Sequence, residues 1–135
     1  MSTALARLNP ETLPDAGKSG YSQISIADTS RLAFISGQVA WKREGGAVPG
    51  TLSEQTTIVI NNLNAALSAL NATPRHIAQM RIYMTDLETD RMESVMAQVI
   101  AFLDGAQPSL TGIGVAALAA PELEIEIEMT VQMPH

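Results

Sequence analysis

The sequence contains no cysteine in its 135 residues, and this absence removes several classes of chemistry at once. Without a thiol there is no disulfide framework, no thiolate nucleophile and no cysteine-based metal site. Aromatic residues are also scarce, at 4% of the chain, and Trp41 is the single tryptophan. A protein without cysteine tolerates either redox compartment, so its composition alone does not locate it.

Basic residues are few and scattered along the chain. Eight Lys and Arg stand against fourteen Asp and Glu, which gives a formal net charge of −6 and argues against binding to a nucleic-acid backbone. No stretch approaches the roughly 20 apolar residues of a membrane span. Residues 1–10 have no apolar run long enough for a signal peptide. We therefore expect a soluble, cytoplasmic protein with neither nucleic acid nor membrane as a partner.

Signatures of metal and cofactor binding are missing as well. Gly45 and Gly46 are not followed by the Lys and helix of a phosphate-binding loop, and the chain has no dinucleotide fingerprint. His76 and His135 have no neighbouring residues that would complete a metal site or a catalytic triad. We expect no metal and no cofactor.

The length and the 46% content of hydrophobic residues suit one domain, residues 1–135, with one continuous core. Nothing repeats, and no linker divides the chain. Alternating apolar residues and turn signals predict strands at 21–27, 32–39, 80–84, 109–116 and 122–129. The turn residues at 28–30 predict that the first two strands form a hairpin, and a loop follows at 42–50.

Two helices are predicted between these strands. Thr51 and Glu54 match a capping box, and apolar residues at helical spacing continue to about Asn71. The second helix, at 90–103, stops at Asp104 and Gly105, where glycine accommodates a left-handed helix end. A short turn containing His76 separates the first helix from the next strand.

The segment 122–129 alternates without error between carboxylates and apolar residues. One face of this strand therefore carries four Glu side chains, and the apolar face belongs beneath the two helices. Arg81 is expected on the same polar face, paired with a Glu of the last strand. The alternative for Arg81 is a role in binding ligand charge.

The second strand has apolar residues on both of its sides, because Leu32 and Phe34 alternate with Ala33 and Ile35. Two helices can cover only one face of the sheet. An uncovered, partly apolar face predicts that another subunit packs against it.

Several local motifs resemble the RidA/YjgF family over nearly the whole chain. They are Gly20-Tyr21-Ser22-Gln23, Phe34-Ile35-Ser36-Gly37-Gln38, Gln55, Asn62-Leu63, Asp86-Leu87 and Glu126-Ile127-Glu128. The resemblance implies a chorismate-mutase-like α+β fold, with one mixed sheet covered on one face by two helices. It also implies a homotrimer in which the sheets face inward and three ligand clefts lie between subunits.

The deaminases of this family hydrolyse an enamine or imine to a keto acid and ammonia. A Glu of the last strand, a Ser and a Tyr position the water, and Glu126, Ser36 and Tyr21 match these positions. The substrate-binding positions implied here are Gly37, Trp41, Met96, Leu110, Thr111 and Gly112. Most of the other methionines, Met92 among them, are expected to fill the core.

The sequence departs from the family where the family binds a substrate carboxylate. The motif Pro-Ala-Arg-Ser-Cys is here Pro108-Ser109-Leu110-Thr111-Gly112, so Leu110 stands in place of the Arg, and Met96 stands in place of an Asn. A charge-assisted bond of this kind is worth ~1.5–3 kcal/mol, so its loss lowers the affinity for a carboxylate ~10- to 100-fold. The sequence favours a neutral or more apolar ligand.

Structural interpretations remain open for each of these residues. Glu126 is also explained as one of several solvated carboxylates, and a slip of two residues in register would exchange it for Glu124 or Glu128. Tyr21 and Ser36 suit ordinary strand packing, and Trp41 suits a subunit seam. The functional hypotheses are a hydrolase, a trimer that binds a small molecule without chemistry and, less favoured by the acidic charge, a ribonuclease or translation inhibitor.

Overall fold

The computed structural model describes residues 5–28 and 31–134. The strands are β1 (Ala6–Leu8), β2 (Ile24–Ile26), β3 (Leu32–Gln38), β4 (Ile77–Met84), β5 (Ser109–Gly114) and β6 (Ile125–Gln132). The helices are α1 (Leu52–Ala69) and α2 (Thr89–Leu103), with short 3-10 turns at Gly17–Ser19 and Pro74–His76. None of the helices in these described ranges is both long and apolar enough to cross a membrane.

Four strands form the main sheet in the order β3-β6-β4-β5. β6 pairs antiparallel with both β3 and β4, whereas β4 and β5 run parallel. β1 and β2 form a separate antiparallel pair. Both helices pack on one face of the mixed sheet, which confirms the predicted α+β class.

The core lies between the helices and this face. Every second residue of β6, and of β4 from Met80 onward, points into it, so one apolar face of the sheet lies against the apolar sides of the two helices. The sheet contributes Met80, Ile82, Met84, Ile125, Ile127, Met129 and Val131, and the helices contribute Val59, Leu63, Leu67, Val95, Val99 and Leu103. These side chains are 0–3% exposed, so the apolar row predicted for the last strand lies where it was expected.

The ends of the helices follow the local sequence signals. Thr51 Oγ1 accepts a hydrogen bond from the Glu54 N–H at 3.2 Å and donates to the Glu54 carboxylate at 2.8 Å. α2 ends where Asp104 and Gly105 take positive φ values of 48° and 89°. Both helix boundaries lie within about two residues of the prediction.

The expected hairpin between the first two strands is wrong. β2 pairs with β1, while β3 pairs with β6, so no ladder joins β2 to β3 among the described residues. Ser22 instead bridges Ser109 at the start of β5, and the Ser25 and Ser109 hydroxyls lie 2.8 Å apart. The segment before β2 is thereby held at the β5 edge of the sheet. Of the predicted turn, residues 29 and 30 lie outside the described residues.

The last strand begins at Ile125, three residues later than expected. Leu123 donates its N–H to Ala120 O at 3.1 Å, which keeps residues 120–123 in a turn. β4 begins earlier than predicted, at Ile77, because its first residues pair with the far end of β6. The alternation of Glu and apolar residues already begins at 122, so it extended the predicted last strand too far, whereas Ala78 and Gln79 interrupt the alternation at the start of β4.

Gln55 on α1 fastens the start of β6 to the helix. Its side chain is fully buried; Nε2 donates to Glu122 O at 2.8 Å and to Pro49 O at 3.0 Å, and Oε1 accepts from the Glu124 N–H at 2.8 Å. One amide thus satisfies three backbone groups that have left regular structure. Such groups are costly to bury unpaired.

We expect Gln55→Ala to lower the free energy of unfolding by about 2–4 kcal/mol, because it leaves buried backbone groups unpaired and opens a cavity. Gln98→Ala is the matched control: its amide bonds Ser53 at an exposed position, so the cost is expected to stay below about 1 kcal/mol. Urea unfolding of the two variants measures the difference. Equal losses would contradict a special role for Gln55.

Candidate ligand site

The sheet face opposite the helices, called the open face below, carries most of the predicted site chemistry. β3 presents Phe34 there, β6 presents Glu126, Glu128 and Thr130, and β4 presents Gln79, Arg81 and Tyr83. Phe34 is 77% exposed in the isolated chain. The open face therefore combines an exposed aromatic ring with charged groups. Across the part of the chain that the structure describes, no three His, Asp or Glu side chains are grouped as metal ligands.

Arg81 pairs with Glu128, as the sequence predicted. Arg81 Nη1 lies 3.3 Å from Glu128 Oε1, and the Tyr83 hydroxyl donates to the same oxygen at 2.5 Å. The bond from Tyr83 is the largest cause of a lowered Glu128 pKa, and Arg81 lowers it further against an opposing effect of desolvation. The same bond raises the pKa of Tyr83. Glu128 is thus a carboxylate already held by two partners.

Glu124, just before β6, is also paired. Arg91 of α2 approaches its carboxylate at 2.8 Å, and both side chains are 27% exposed. Arg91 also donates to the carbonyl oxygens of Asp86 and Thr85. This cluster fixes the start of α2 against the start of β6, which is a structural role.

Glu126 differs from both neighbours, because it forms no hydrogen bond or ion pair with any described residue. Its side chain lies over Gly37, where a Cβ atom would overlap the carboxylate and come within 2.7 Å of Glu126 Cγ. An irregularity in β3 between Ile35 and Gln38 brings Gly37 to this place. The partly buried carboxylate is therefore free to meet a ligand or a water molecule.

Glu126 lines a cleft of about 300 Å³. We call it the carboxylate cleft; its lining residues are Gly37, Gln38, Val39, Trp41, Asn62, Ala119 and Glu126. Asn62 of α1 donates from Nδ2 to Val39 O at 3.2 Å and to Trp41 O at 2.9 Å. These two bonds hold the backbone of the cleft wall in place.

A second cleft of about 240 Å³ lies beside α2. We call it the methionine cleft; its lining residues are Ser19, Tyr21, Met92, Met96, Leu110 and Gly112. Met92 fills the space above Gly112, since a Cβ there would lie 2.7 Å from Met92 Cε. Apolar groups dominate this cleft, and it contains no charged side chain.

The structure thus brings the predicted site residues together in two groups. Gly37, Trp41 and Glu126 share the carboxylate cleft, whereas Tyr21, Met96, Leu110 and Gly112 share the methionine cleft. Leu110 pairs with Met80 and packs against the core on the helix side, while Glu126 points to the open face. A single chain does not place these two residues around one ligand.

Two predicted residues line neither cleft. Ser36 is exposed on β3, and its carbonyl oxygen accepts a bond from Gln38 Nε2 at 3.1 Å. Thr111 is exposed on β5 and, because side chains alternate along a strand, points away from Leu110. Ser36 still follows Phe34 on the open side of β3, at the rim of the face that carries Glu126.

Two residues of the clefts were missed as site residues. Met92 was expected to be core filling, but lies above Gly112 in the methionine cleft. Asn62 was noted only as part of a motif, and its hydrogen bonds to the wall at 39–41 were not foreseen. A polar amide one position before the buried Leu63 was the available signal for Asn62.

Two helices packed on a mixed sheet in this order define a chorismate-mutase-like α+β fold. The family model of Endoribonuclease L-PSP, the RidA/YjgF family, matches residues 13–133. The chain therefore belongs to this family, as the sequence motifs indicated. A Rid-family protein of unknown function from Yersinia pestis, YyfB, is 37% identical over 96% of this chain and 99% of that one, with a TM-score of 0.89.

Two fungal relatives also match. The mitochondrial protein MMF1 of Saccharomyces cerevisiae is 26% identical over 130 residues, covering 96% of this chain and 83% of its own. The mitochondrial protein mmf2 of Schizosaccharomyces pombe is 39% identical over 57 residues, and this segment spans 42% of this chain and 44% of the relative. Since both are mitochondrial proteins, a cytoplasmic location for this chain stays a prediction.

We expect Tyr83→Phe to raise the pKa of Glu128 toward its ordinary value near 4.3, because the mutation removes the largest cause of the lowering. Arg81→Gln is expected to raise it as well, because the mutation removes a hydrogen bond and a positive charge. Carboxyl carbon chemical shifts followed by NMR across a pH titration measure both. An unchanged Glu128 pKa in Tyr83→Phe would contradict this assignment.

The lowered pKa of Glu128 determines how this residue's contribution to stability changes with pH. A carboxyl group whose folded pKa lies below its unfolded value stabilises the protein above about pH 4.3. This contribution is lost as the pH falls through the folded pKa. Glu128 is therefore expected to stabilise the fold at neutral pH and to stop doing so in acid.

Proposed function

We propose that the protein is a homotrimer that hydrolyses a reactive enamine or imine lacking a carboxylate, in a cleft completed by two subunits. The observation that carries this proposal is the position of Glu126, an unpaired and partly buried carboxylate laid over Gly37 in a cleft. Glu124 and Glu128 are both engaged by arginines. Of these three carboxylates, Glu126 is the one with room to activate water.

The open face supports the trimer. Phe34 is 77% and Leu32 45% exposed on the edge strand β3, and exposed large apolar side chains of this kind are typical of a surface that another chain covers. The helices already cover the other face of the sheet, so we expect a further copy of the chain to pack against the open face. Inward-facing sheets would bury these two side chains beside the Arg81–Glu128 pair.

The division of the site into two clefts also supports assembly. The residues that match the family's site are divided between the carboxylate cleft and the methionine cleft, which lie apart on one chain. We infer that the carboxylate cleft of one subunit meets the methionine cleft of the next. Each interface would then hold one complete site, with Glu126 and Tyr21 supplied by different copies.

Hydrolysis needs one water molecule and a group that moves its proton. Glu126 accepts a proton from water while the water oxygen bonds to the imine carbon and the electron pair of the C=N bond moves to nitrogen. The nitrogen takes up this proton from Glu126, which gives a carbinolamine. The proton of the new hydroxyl group then passes to the nitrogen through Glu126, the C–N bond breaks as the C–O bond becomes a carbonyl, and a carbonyl compound and ammonia leave. A hydroxyl such as that of Ser36 or Tyr21 would hold the substrate during these steps.

Leu110 supports a substrate without a carboxylate. It lies with Met92 and Met96 in a cleft that contains no cation, so a carboxylate placed there would be desolvated without a partner. An apolar group would instead gain from burial among these side chains. This favours imines derived from amines over those derived from amino acids.

A trimer that binds a small molecule without chemistry is the second candidate. The observation that favours it is Met92 above Gly112, which makes the methionine cleft more apolar without adding a catalytic group. The ribonuclease activity in the name of the family model receives less support. The net charge is −6, and the open face carries Glu126 and Glu128 beside Arg81.

We expect a native mass of three chains of 14.4 kDa and dissociation of this trimer by Phe34→Lys. Burying Phe is worth about 1.5–3 kcal/mol in each subunit, and a buried Lys adds a desolvation cost. Sedimentation equilibrium measures the effect. Ser68→Lys, at an exposed position near the end of α1 that lines neither cleft, is the control and should leave the mass unchanged. A monomeric native protein would refute the trimer.

We expect the native protein to hydrolyse freshly generated amine-derived imines, and Glu126→Gln to lower kcat ~100-fold or more, because it removes the proton acceptor. Glu128→Gln, on the same strand and face, is the matched control and should keep the activity. Loss of the trappable imine measures the rate, and sedimentation checks the assembly. Full activity in Glu126→Gln would refute the assigned role.

Leu110→Arg tests substrate choice in the same assay. A restored guanidinium should improve kcat/KM for imino acids ~10- to 100-fold by pairing with their carboxylate. The native protein should show the opposite preference. An unchanged preference would mean that residue 110 does not contact the substrate.

A further inference from the structure

We infer that the carboxylate cleft binds a positively charged nitrogen, as an ammonium or iminium group with an apolar substituent, and that it rejects anions. This inference rests on the proposed function, because it names the charge of the substrate at the same site. The inference itself concerns ligand binding, so it is testable without turnover. Three features of the described residues lead to it.

The first feature is a carboxylate without a counter-charge. Glu126 has no ionic partner among the described residues, and neither cleft contains Lys, Arg or His. The whole chain is also acidic, with a net charge of −6. A carboxylate of this kind attracts a cation more strongly than a fully hydrated one, since the effective dielectric constant falls with burial.

The second feature is Trp41 in the same cleft. Its side chain is 50% exposed, so its ring is available to a ligand. The Trp41 N–H donates to Val39 O at 2.8 Å, and Asn62 holds both carbonyl oxygens of this short turn. Binding would therefore not have to order the backbone of this wall. An aromatic face beside a carboxylate is a favourable environment for alkylammonium groups.

The third feature is Gly37, which determines where the carboxylate lies. Any side chain there would overlap Glu126 and push its carboxylate off the strand. With glycine, the carboxylate lies close to the β3 backbone at Gly37, and Glu126 lines the same cleft as Trp41. The position of the negative charge is thus set by packing rather than by a hydrogen bond, which leaves its oxygens available.

The methionine cleft defines the rest of the ligand. If it faces the carboxylate cleft across a subunit interface, it adds Leu110, Met92 and Met96 and no charge. The completed site then has a net charge of −1 and an apolar wall. A cation with an alkyl or aryl group satisfies both parts, whereas a carboxylate satisfies neither.

The test uses three non-reactive compounds of one shape and different charge: choline, its neutral isostere 3,3-dimethyl-1-butanol, and the anion 3,3-dimethylbutanoate. Trp41 is the only tryptophan, so its fluorescence reports directly on the cleft. We expect saturable quenching by choline, binding at least ~10-fold weaker for the alcohol, and none for the anion. Choline binding should also weaken as salt is added.

Variants assign the effect to the carboxylate. Glu126→Gln should weaken choline binding ~10-fold, because it removes the charge and keeps the shape. Glu128→Gln is the matched control, since Arg81 and Tyr83 already hold that carboxylate, and should bind choline as the native protein does. Gly37→Ala should act like Glu126→Gln by displacing the carboxylate. Sedimentation and thermal unfolding establish that each variant remains assembled.

Equal affinity for choline and its neutral isostere would overturn the inference, as would equal losses in Glu126→Gln and Glu128→Gln. Choline is not a substrate, so this result is independent of hydrolysis. A protein that hydrolyses imines but does not prefer the cation would refute only the charge assigned to the ligand. A protein that binds choline through Glu126 but hydrolyses nothing would refute only the proposed reaction.

Discussion

The strict alternation along β6 is the constraint on which the rest of the structure depends. β6 lies between β3 and β4, so its side chains decide what both faces of the sheet present. Ile125, Ile127 and Met129 are 0–2% exposed beneath the helices. Because successive residues point to opposite sides, the glutamates between them have to lie on the open face. One apolar row therefore fixes both the core and the place where the candidate chemistry lies.

Once the carboxylates share a face, their neighbours decide how they differ. Glu128 lies opposite Arg81 in the ladder and receives the Tyr83 hydroxyl, so its negative charge is balanced. Glu126 lies opposite Tyr83 and turns instead toward β3, where the irregularity at Gly37 leaves space. Two carboxylates separated by one residue thus have different roles available to them. The difference comes from the partner strands and not from β6 itself.

Local patterns in the sequence were sufficient to predict the last strand, the two helices and the polar face of the sheet. The period of two identified β6, the period of 3.6 and the capping residues identified α1 and α2, and the polar face placed Arg81 beside a last-strand Glu. Each of these features is set by residues close together in the chain. The family motifs added the mixed sheet and its chorismate-mutase-like fold.

Features that depend on distant parts of the chain could not be predicted in the same way. β2 was expected beside β3, but its segment is held by Ser109, more than eighty residues away. The irregularity in β3 is a property of its register with β6, and the amide of Asn62 binds carbonyl oxygens that lie 23 and 21 residues before it. The division of the site into two clefts follows from Leu110 and Glu126 pointing to opposite faces. A linear pattern gives the face of a residue only after the pairing of its strand is known.

The interface site that we propose differs from that of the family deaminases in more than one contact. The sequence resemblance implies an Arg and a Glu of opposite charge in the deaminase cleft, and Leu110 stands at the position of that Arg. In the proposed site the charge of Glu126 would therefore be unbalanced, and burial would strengthen its field. An anion would meet repulsion as well as the lack of an anchor, while a cation would meet attraction. A site of this kind without the Arg would thus favour the opposite class of ligand.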